Sequence, residues 1–153
     1  MREYKIYTAG KMGGWSYETQ MGWRKCLEHE VKDNVQYTGN RVKFFHPPEF
    51  YTYDSEYKVY QSEKEVQTWD LNHIAESDIV AVYLQDIETS IGTLFELGFI
   101  HHLNQYRDKQ IYVIGIGGDS GVKELHPWIS MEMHRVEKTI NDAAEYITDY
   151  LII

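Results

Sequence analysis

The chain has 153 residues, a formal net charge of -9 and one cysteine, Cys26. That length is enough for one domain, residues 1–153, with a real core, and a lone thiol excludes an intrachain disulfide. The negative balance argues against a nucleic acid polymer as partner, because that affinity rests on Lys and Arg neutralising phosphates; a local basic pocket could still hold one small anion. Hydrophobic residues at 42% and charged residues at 25% are ordinary for a globular protein. No apolar run is long enough to suggest a membrane span. The opening MREYKIYTAG enters a strand-like pattern without the apolar run of a signal peptide, so a cytoplasmic location is expected. The 13 Tyr and 4 Trp suit core and subunit contacts, or stacking on a planar ligand such as a base.

In chain order, residues 4–9 read as a first strand that runs into the glycine-bearing loop Gly10, Lys11, Met12, Gly13 and Gly14. A helix is expected from about Tyr17 to Val31, with Met21, Arg24, Cys26 and Leu27 roughly on one face. Residues 41–45 form a second strand, stopped by His46-Pro47-Pro48. The Tyr-rich stretch 49–60 lacks periodicity and is expected as a loop or lid. Helical spacing returns over 63–76, with Val66, Trp69, His73 and Ile74. Residues 78–84 are a short apolar run, read as a fully buried strand. The loop 85–90 leads to a helix over about 91–104, and 111–116 is another buried strand, ended by Gly117-Gly118-Asp119. A final helix is predicted over 131–150, with Val136, Ile140, Ala143, Ala144, Ile147 and Leu151 on one stripe. Apolar strands alternating with helices predict an α/β, doubly wound fold around a parallel sheet of about five strands. Ligands in such folds sit at the carboxyl ends of the strands, which directs attention to the loops 10–14, 85–90 and 115–121.

The segment from Asp70 to Gly98 carries the candidate chemistry. Asp70 is expected near the end of its helix, Asp78 at the start of the buried strand, and Glu96 in the opening turns of the next helix, with Ser90 as N-cap. Leu94, Phe95, Leu97 and Phe99 give Glu96 an apolar setting. Gly92, one turn earlier on the same face, leaves room for a ligand. A bland reading stays open beside this one: Glu96 as an acid stabilised by a helix N-terminus, Asp78 as a strand-start carboxylate, and Asp70 as a solvated helix residue.

The segment resembles the nucleoside 2-deoxyribosyltransferase family, through Asp70-Leu71-Asn72, then Ser77-Asp78-Ile79-Val80, then Gly92-Thr93-Leu94-Phe95-Glu96-Leu97-Gly98. Asp70 precedes Glu96 by 26 positions (96 minus 70), a spacing like that of the transferases, and Ile6-Tyr7 with the loop that follows resembles the start of the family. The resemblance implies that Glu96 attacks the anomeric carbon to form a covalent deoxyribosyl intermediate. It implies that Asp70 assists protonation of the leaving base and that Tyr7 orients Glu96. It also implies a small-molecule nucleoside or nucleotide as substrate, no metal or other cofactor, and a homodimer or larger homo-oligomer whose sites are completed by a neighbour.

Two positions depart from the transferase pattern. Ser90 stands six residues before Glu96, where transferases carry an aspartate near the sugar 5′-hydroxyl, and Ser130 stands near where they carry an asparagine. An aspartate would repel a 5′-phosphate, whereas a serine hydroxyl can donate to one. Ser90, Ser130, the amides of Gly13 and Gly14 and the Lys11 ammonium together suit a phosphate, a pattern that resembles the related deoxynucleoside 5′-monophosphate N-hydrolases. Transferase and hydrolase both stay open, beside a non-catalytic nucleotide-binding module and a flavodoxin-like protein of another kind. Gly115-Ile116-Gly117-Gly118 lacks the dinucleotide fingerprint. The pair His101-His102 points about 100° apart on a helix and does not converge on a metal.

Overall fold

The computed structural model describes residues 1–51, 60–119 and 121–153. Strand β1 (Glu3–Ala9) alternates strictly: Tyr4 and Ile6 face one side, Tyr7 and Ala9 the other. Helix α1 (Tyr17–Val35) starts where Ser16 Oγ accepts the Thr19 amide. Strand β2 (Arg41–Phe45) ends at His46, and Pro47 opens the short helix α2 (Pro47–Phe50). That helix takes the start of the stretch expected as a loop, of which residues 52–59 lie outside the described residues. Helix α3 (Glu63–Glu76) is capped by Ser62. Strand β3 (Ile79–Tyr83) is buried throughout. A single 3-10 turn, Ile87–Thr89, precedes helix α4 (Ile91–Tyr106). Strand β4 (Tyr112–Ile116), helix α5 (Pro127–Ser130), strand β5 (Arg135–Glu137) and helix α6 (Ile140–Tyr146) follow, with a π turn over Ile147–Leu151.

The five strands form one parallel sheet in the order β2-β1-β3-β4-β5. Both faces are covered, as the α/β doubly wound expectation requires. Trp23, Leu27, Val31 and Val35 of α1, with Ala143, Ala144 and Ile147 from the C-terminal helix, pack on Tyr4, Ile6, Ile79 and Ala81. Ile74 of α3 and Leu97 and Ile100 of α4 pack on Tyr7, Val80, Val82 and Val113. The chain steps outward from β1 to β2 and then returns to the other side of β1 as β3. The ends of β1 and β3 are therefore the topological switch point, where two successive connections leave in opposite directions and open a crevice.

The final helix expected over 131–150 is corrected. Arg135, Val136 and Glu137 instead pair with Ile114, Gly115 and Ile116 as the edge strand β5, and Thr139 caps a helix that begins only at Ile140. An edge strand has one bare flank, so its charge–valine–charge alternation reads as the polar side of a helix. Only pairing with β4 decides otherwise. Thr139→Ala should lower stability by about 1 kcal/mol in urea unfolding, because it removes a cap. A helix continuous through this position would instead gain a few tenths of a kcal/mol from alanine, roughly its propensity advantage.

Candidate active site

Tyr7, Asp70 and Glu96 come together on the α3/α4 side of the switch point. The alternation of β1 sends Tyr7 to that face. Asp70 lies in the middle of α3, not near its end as expected. Its spacing of four from Val66 and from Ile74, both buried, places it on the apolar stripe of the helix. Glu96 sits one turn beyond buried Thr93 and one turn before buried Ile100. A cavity of about 300 Å³ exposes both carboxylates between α3 and α4, walled by Val66, Leu71, Ile91, Gly92 and Phe95.

The walls explain the electrostatics. Asp70 Oδ1, Glu96 Oε2 and Tyr7 Oη are sealed from solvent without a hydrogen-bond partner among the described residues. Burial, which penalises the charged form, pushes Asp70 up to about 7, against the opposing pull of Tyr7 and Arg24. Burial first and the Asp70 charge second push Glu96 up to about 8. The Tyr7 phenol is driven well above its ordinary value by burial and then by the two carboxylates. It lies within electrostatic reach of both and makes no well-aligned hydrogen bond to either. The two acids titrate as a pair; near neutrality the pair holds one proton and one negative charge.

The cation whose field reaches all three groups is Arg24, which sequence reasoning placed on a helix face without assigning it a role. It is fully buried and lies on the α1 side of β1, with Nε donating to Thr8 Oγ1 at 3.2 Å and Nη2 to the Gly10 carbonyl at 3.3 Å. The available signal was an arginine on the same face as Gln20, Leu27 and Val31, all buried in α1. Burial lowers Arg24 to about 10, so it remains charged at neutral pH.

The expected binding residues divide. Gly92 lines the carboxylate cavity. Gly10 is buried where a side chain would collide with Trp23 and Tyr83. Gly13 and Gly14 are exposed, and Gly14 takes a φ of 79° that favours glycine. The Met12 carbonyl accepts from the Trp15 amide at 3.1 Å and from Gln20 Nε2 at 3.0 Å. Lys11 Nζ reaches Thr89 Oγ1 at 2.8 Å, one residue from Ser90. Ser90 holds the N-cap position of α4, but its side chain does not cap: Ser90 Oγ pairs with Thr93 Oγ1 at 2.7 Å. Ser130 is exposed on α5 and donates to the Pro127 carbonyl at 3.1 Å, outside the carboxylate cavity of its own chain. Asp78 serves structure at the opposite end of β3, accepting the Lys5 amide at 2.9 Å. A larger cavity, about 760 Å³, lies between α4 and residues 126–132 and holds neither acid.

No protein-family model and no curated protein matches the chain in sequence. Solved structures do match it in shape. A 2-deoxyribosyltransferase from Bacillus psychrosaccharolyticus aligns with a TM-score of 0.61 at 21% identity, over 97% of this chain and 94% of its own. A conserved protein from Enterococcus faecalis V583 aligns with a TM-score of 0.64 at 16% identity, over 95% and 97%. A CMP N-glycosidase from Clostridium botulinum aligns with a TM-score of 0.54 at 13% identity, over 95% and 99%. At such identities the likeness defines the fold, and that fold is the one adopted by 2-deoxyribosyltransferases, as the sequence resemblance implied.

The raised value of Glu96 links to stability. Between the ordinary carboxylate value near 4.3 and about 8, the folded chain binds this proton more tightly than the unfolded chain. Its contribution is therefore fully present below the unfolded value and lost as pH rises through that window. Glu96→Gln should raise the melting temperature by roughly 5 °C at pH 9 and change it little at pH 4. Melts at the two pH values check the difference.

Proposed function

We propose that the protein cleaves the N-glycosidic bond of 2′-deoxynucleosides or their 5′-monophosphates. The observation that carries this reading is the pair Glu96 and Asp70, sharing one proton near neutrality on a cavity at the switch point. Glu96 attacks the anomeric carbon as a carboxylate, in the form of the pair whose single proton has passed to Asp70. The carbon–nitrogen bond breaks, its electron pair leaves with the base, and Asp70 supplies the proton to the base nitrogen. The resulting deoxyribosyl ester of Glu96 is opened by an acceptor base or by water, whose proton returns to Asp70. Tyr7 and Arg24 favour the charged form of Glu96 needed for attack. The fold shared with 2-deoxyribosyltransferases and an N-glycosidase supports the reading, as do the positions of Asp70 and Glu96 in the sequence. No helix of the described residues is long and apolar enough to cross a membrane.

A second reading, strict hydrolysis of 5′-monophosphates, is favoured by the group at the start of α4. Lys11, Thr89, Ser90 and Thr93 bring an ammonium and three hydroxyls together there, and no side chain caps the helix. An anion is welcome at such an end, whereas an aspartate at position 90 would exclude it. Ser130 joins that site only from another copy. Ile91, Phe95, Trp128 and Met131 are large apolar side chains left exposed, and we assign them to contacts in a homo-oligomer. Sedimentation should give a dimer or larger species; a fully active monomer refutes this assignment.

The deciding experiment incubates the protein with the four deoxynucleosides and their 5′-monophosphates, each with and without a second free base. New nucleoside formed only with an acceptor base identifies a transferase. Free base from monophosphates alone identifies the hydrolase. No turnover of any substrate leaves a nucleotide-binding module. Glu96→Ala should reduce activity by roughly 10³-fold or more, and Asp70→Asn by about 10²-fold. The rate should follow a narrow bell, rising as the pair loses its first proton near pH 7 and falling as it loses its second near pH 8.

A further inference from the structure

Arg24 is anchored by a chain of buried polar groups that sequence reasoning did not connect. Its Nε donates to Thr8 Oγ1 at 3.2 Å, and Thr8 Oγ1 lies 2.8 Å from His46 Nδ1. His46 Nε2 lies 2.9 Å from Glu28 Oε2. Thr8, Arg24 and His46 are essentially without exposure. Glu28 is partly exposed and carries the chain to the surface, where Lys25 and Lys32 pair with it at 3.1 and 2.6 Å. None of these residues lines the carboxylate cavity.

The direction of every proton in this chain follows from donor chemistry. An ionised carboxylate only accepts, and Glu28 is ionised: burial would raise it, but hydrogen bonds from Lys32, His46 and Lys25 prevail and hold it at about 2. His46 Nε2 must therefore carry a proton. Burial lowers His46 below its ordinary value, against the pull of Glu28 and Glu49 and with Lys25 repelling. The ring is then neutral at pH 7 and its Nδ1 is bare. Thr8 donates to that nitrogen at 2.8 Å, the nearer of its two acceptors, the Phe45 carbonyl lying at 3.2 Å, which leaves a Thr8 lone pair for the Arg24 Nε–H. With both ring nitrogens engaged and its ring stacked on Phe44 at 5.4 Å, His46 has nothing left to offer a ligand.

The relay ends beside the site. Thr8 and Tyr7 are neighbours on β1 and point to opposite faces, so the guanidinium held by Thr8 stands across one strand from the acids near Tyr7. Its remaining partners are the Gln20 and Gly10 carbonyls and the Trp23 ring, 4.6 Å away. Among the described residues no carboxylate hydrogen-bonds to it, and the charges it feels include those of Tyr7, Glu96 and Asp70. Resting on the reading in which Glu96 attacks as a carboxylate, we propose that Glu28, His46 and Thr8 are positioning residues that hold Arg24 across β1 from Glu96 and Asp70 and thereby ease ionisation of the nucleophile. A charge buried in a poor dielectric acts over several ångströms, so loosening its anchor weakens its field on both acids.

The test follows the Glu96 carboxyl by NMR in protein labelled with ¹³C at the glutamate carboxyl, the resonance being assigned by its loss in Glu96→Gln. This readout needs no turnover. Thr8→Val deletes the hydroxyl at nearly constant shape, while Thr8→Ser keeps it. The expected result is a Glu96 midpoint about one unit higher in Thr8→Val, wild-type behaviour in Thr8→Ser, and a smaller rise in Glu28→Gln. Base release should follow, both limbs of its pH profile moving upward through kcat with KM little changed. A folded Thr8→Val protein whose Glu96 midpoint is unmoved overturns the proposal, because a merely structural hydroxyl lowers the melting temperature alone. If Thr8→Val does not fold, an unmoved midpoint in both Glu28→Gln and His46→Asn overturns it instead. Wild-type protein that titrates as expected but releases no base would refute the glycosidase reading and leave the relay standing.

Discussion

Two carboxylates placed on one apolar wall penalise each other's charge, and the rest of the site is arranged around that penalty. Neither Asp70 nor Glu96 has an ion-pair partner on its own face of the sheet among the described residues. The compensating charge comes through the backbone of β1, from a guanidinium on the opposite face. This works because a strand is thin and alternates: Tyr7 can touch the acids while Thr8, the next residue, holds Arg24. A sheet interior also lets the field through with little screening, since water is excluded from both sides. The arrangement leaves the pair with a single proton near neutrality, the condition for one acid to attack while its neighbour donates.

The fold supplies the place for this pair without dictating its chemistry. Reversal of the strand order around β1 opens a crevice at the ends of β1 and β3, and α3 and α4 line one side of it. The start of α4 contributes differently from the middle of that helix. Its first turn gathers Ser90, Thr93 and the Lys11–Thr89 contact, whereas its second turn carries Glu96. Exposed Ile91 and Phe95 on the outer wall extend apolar surface beyond the cavity.

The parts of the structure that were legible beforehand share a property: local pattern alone determines them. The buried runs of β3 and β4 and the stop of β2 at His46-Pro47-Pro48 are set by residues within a few positions. Glu96 stood out as an acid amid apolar neighbours, and Asp70 through the resemblance carried by its segment and its spacing from Glu96. Failures came where a distant partner decides. Arg135–Glu137 became a strand because β4 offered a bare edge. His46 looked only like the end of a strand, because its partners Thr8 and Glu28 lie 38 and 18 positions away.

The sequence by itself determined the α/β alternation, the two acids and the glycine-bearing loop after β1, since spacing and side-chain chemistry are properties of neighbours along the chain. Only the tertiary structure decided which cation serves those acids, how Thr8, His46 and Glu28 connect to it, and which segment closes the sheet. Those outcomes depend on burial and on hydrogen bonds between residues far apart in sequence. Folding removes water from such groups, so each buried donor and acceptor is left to the partners the fold brings to it.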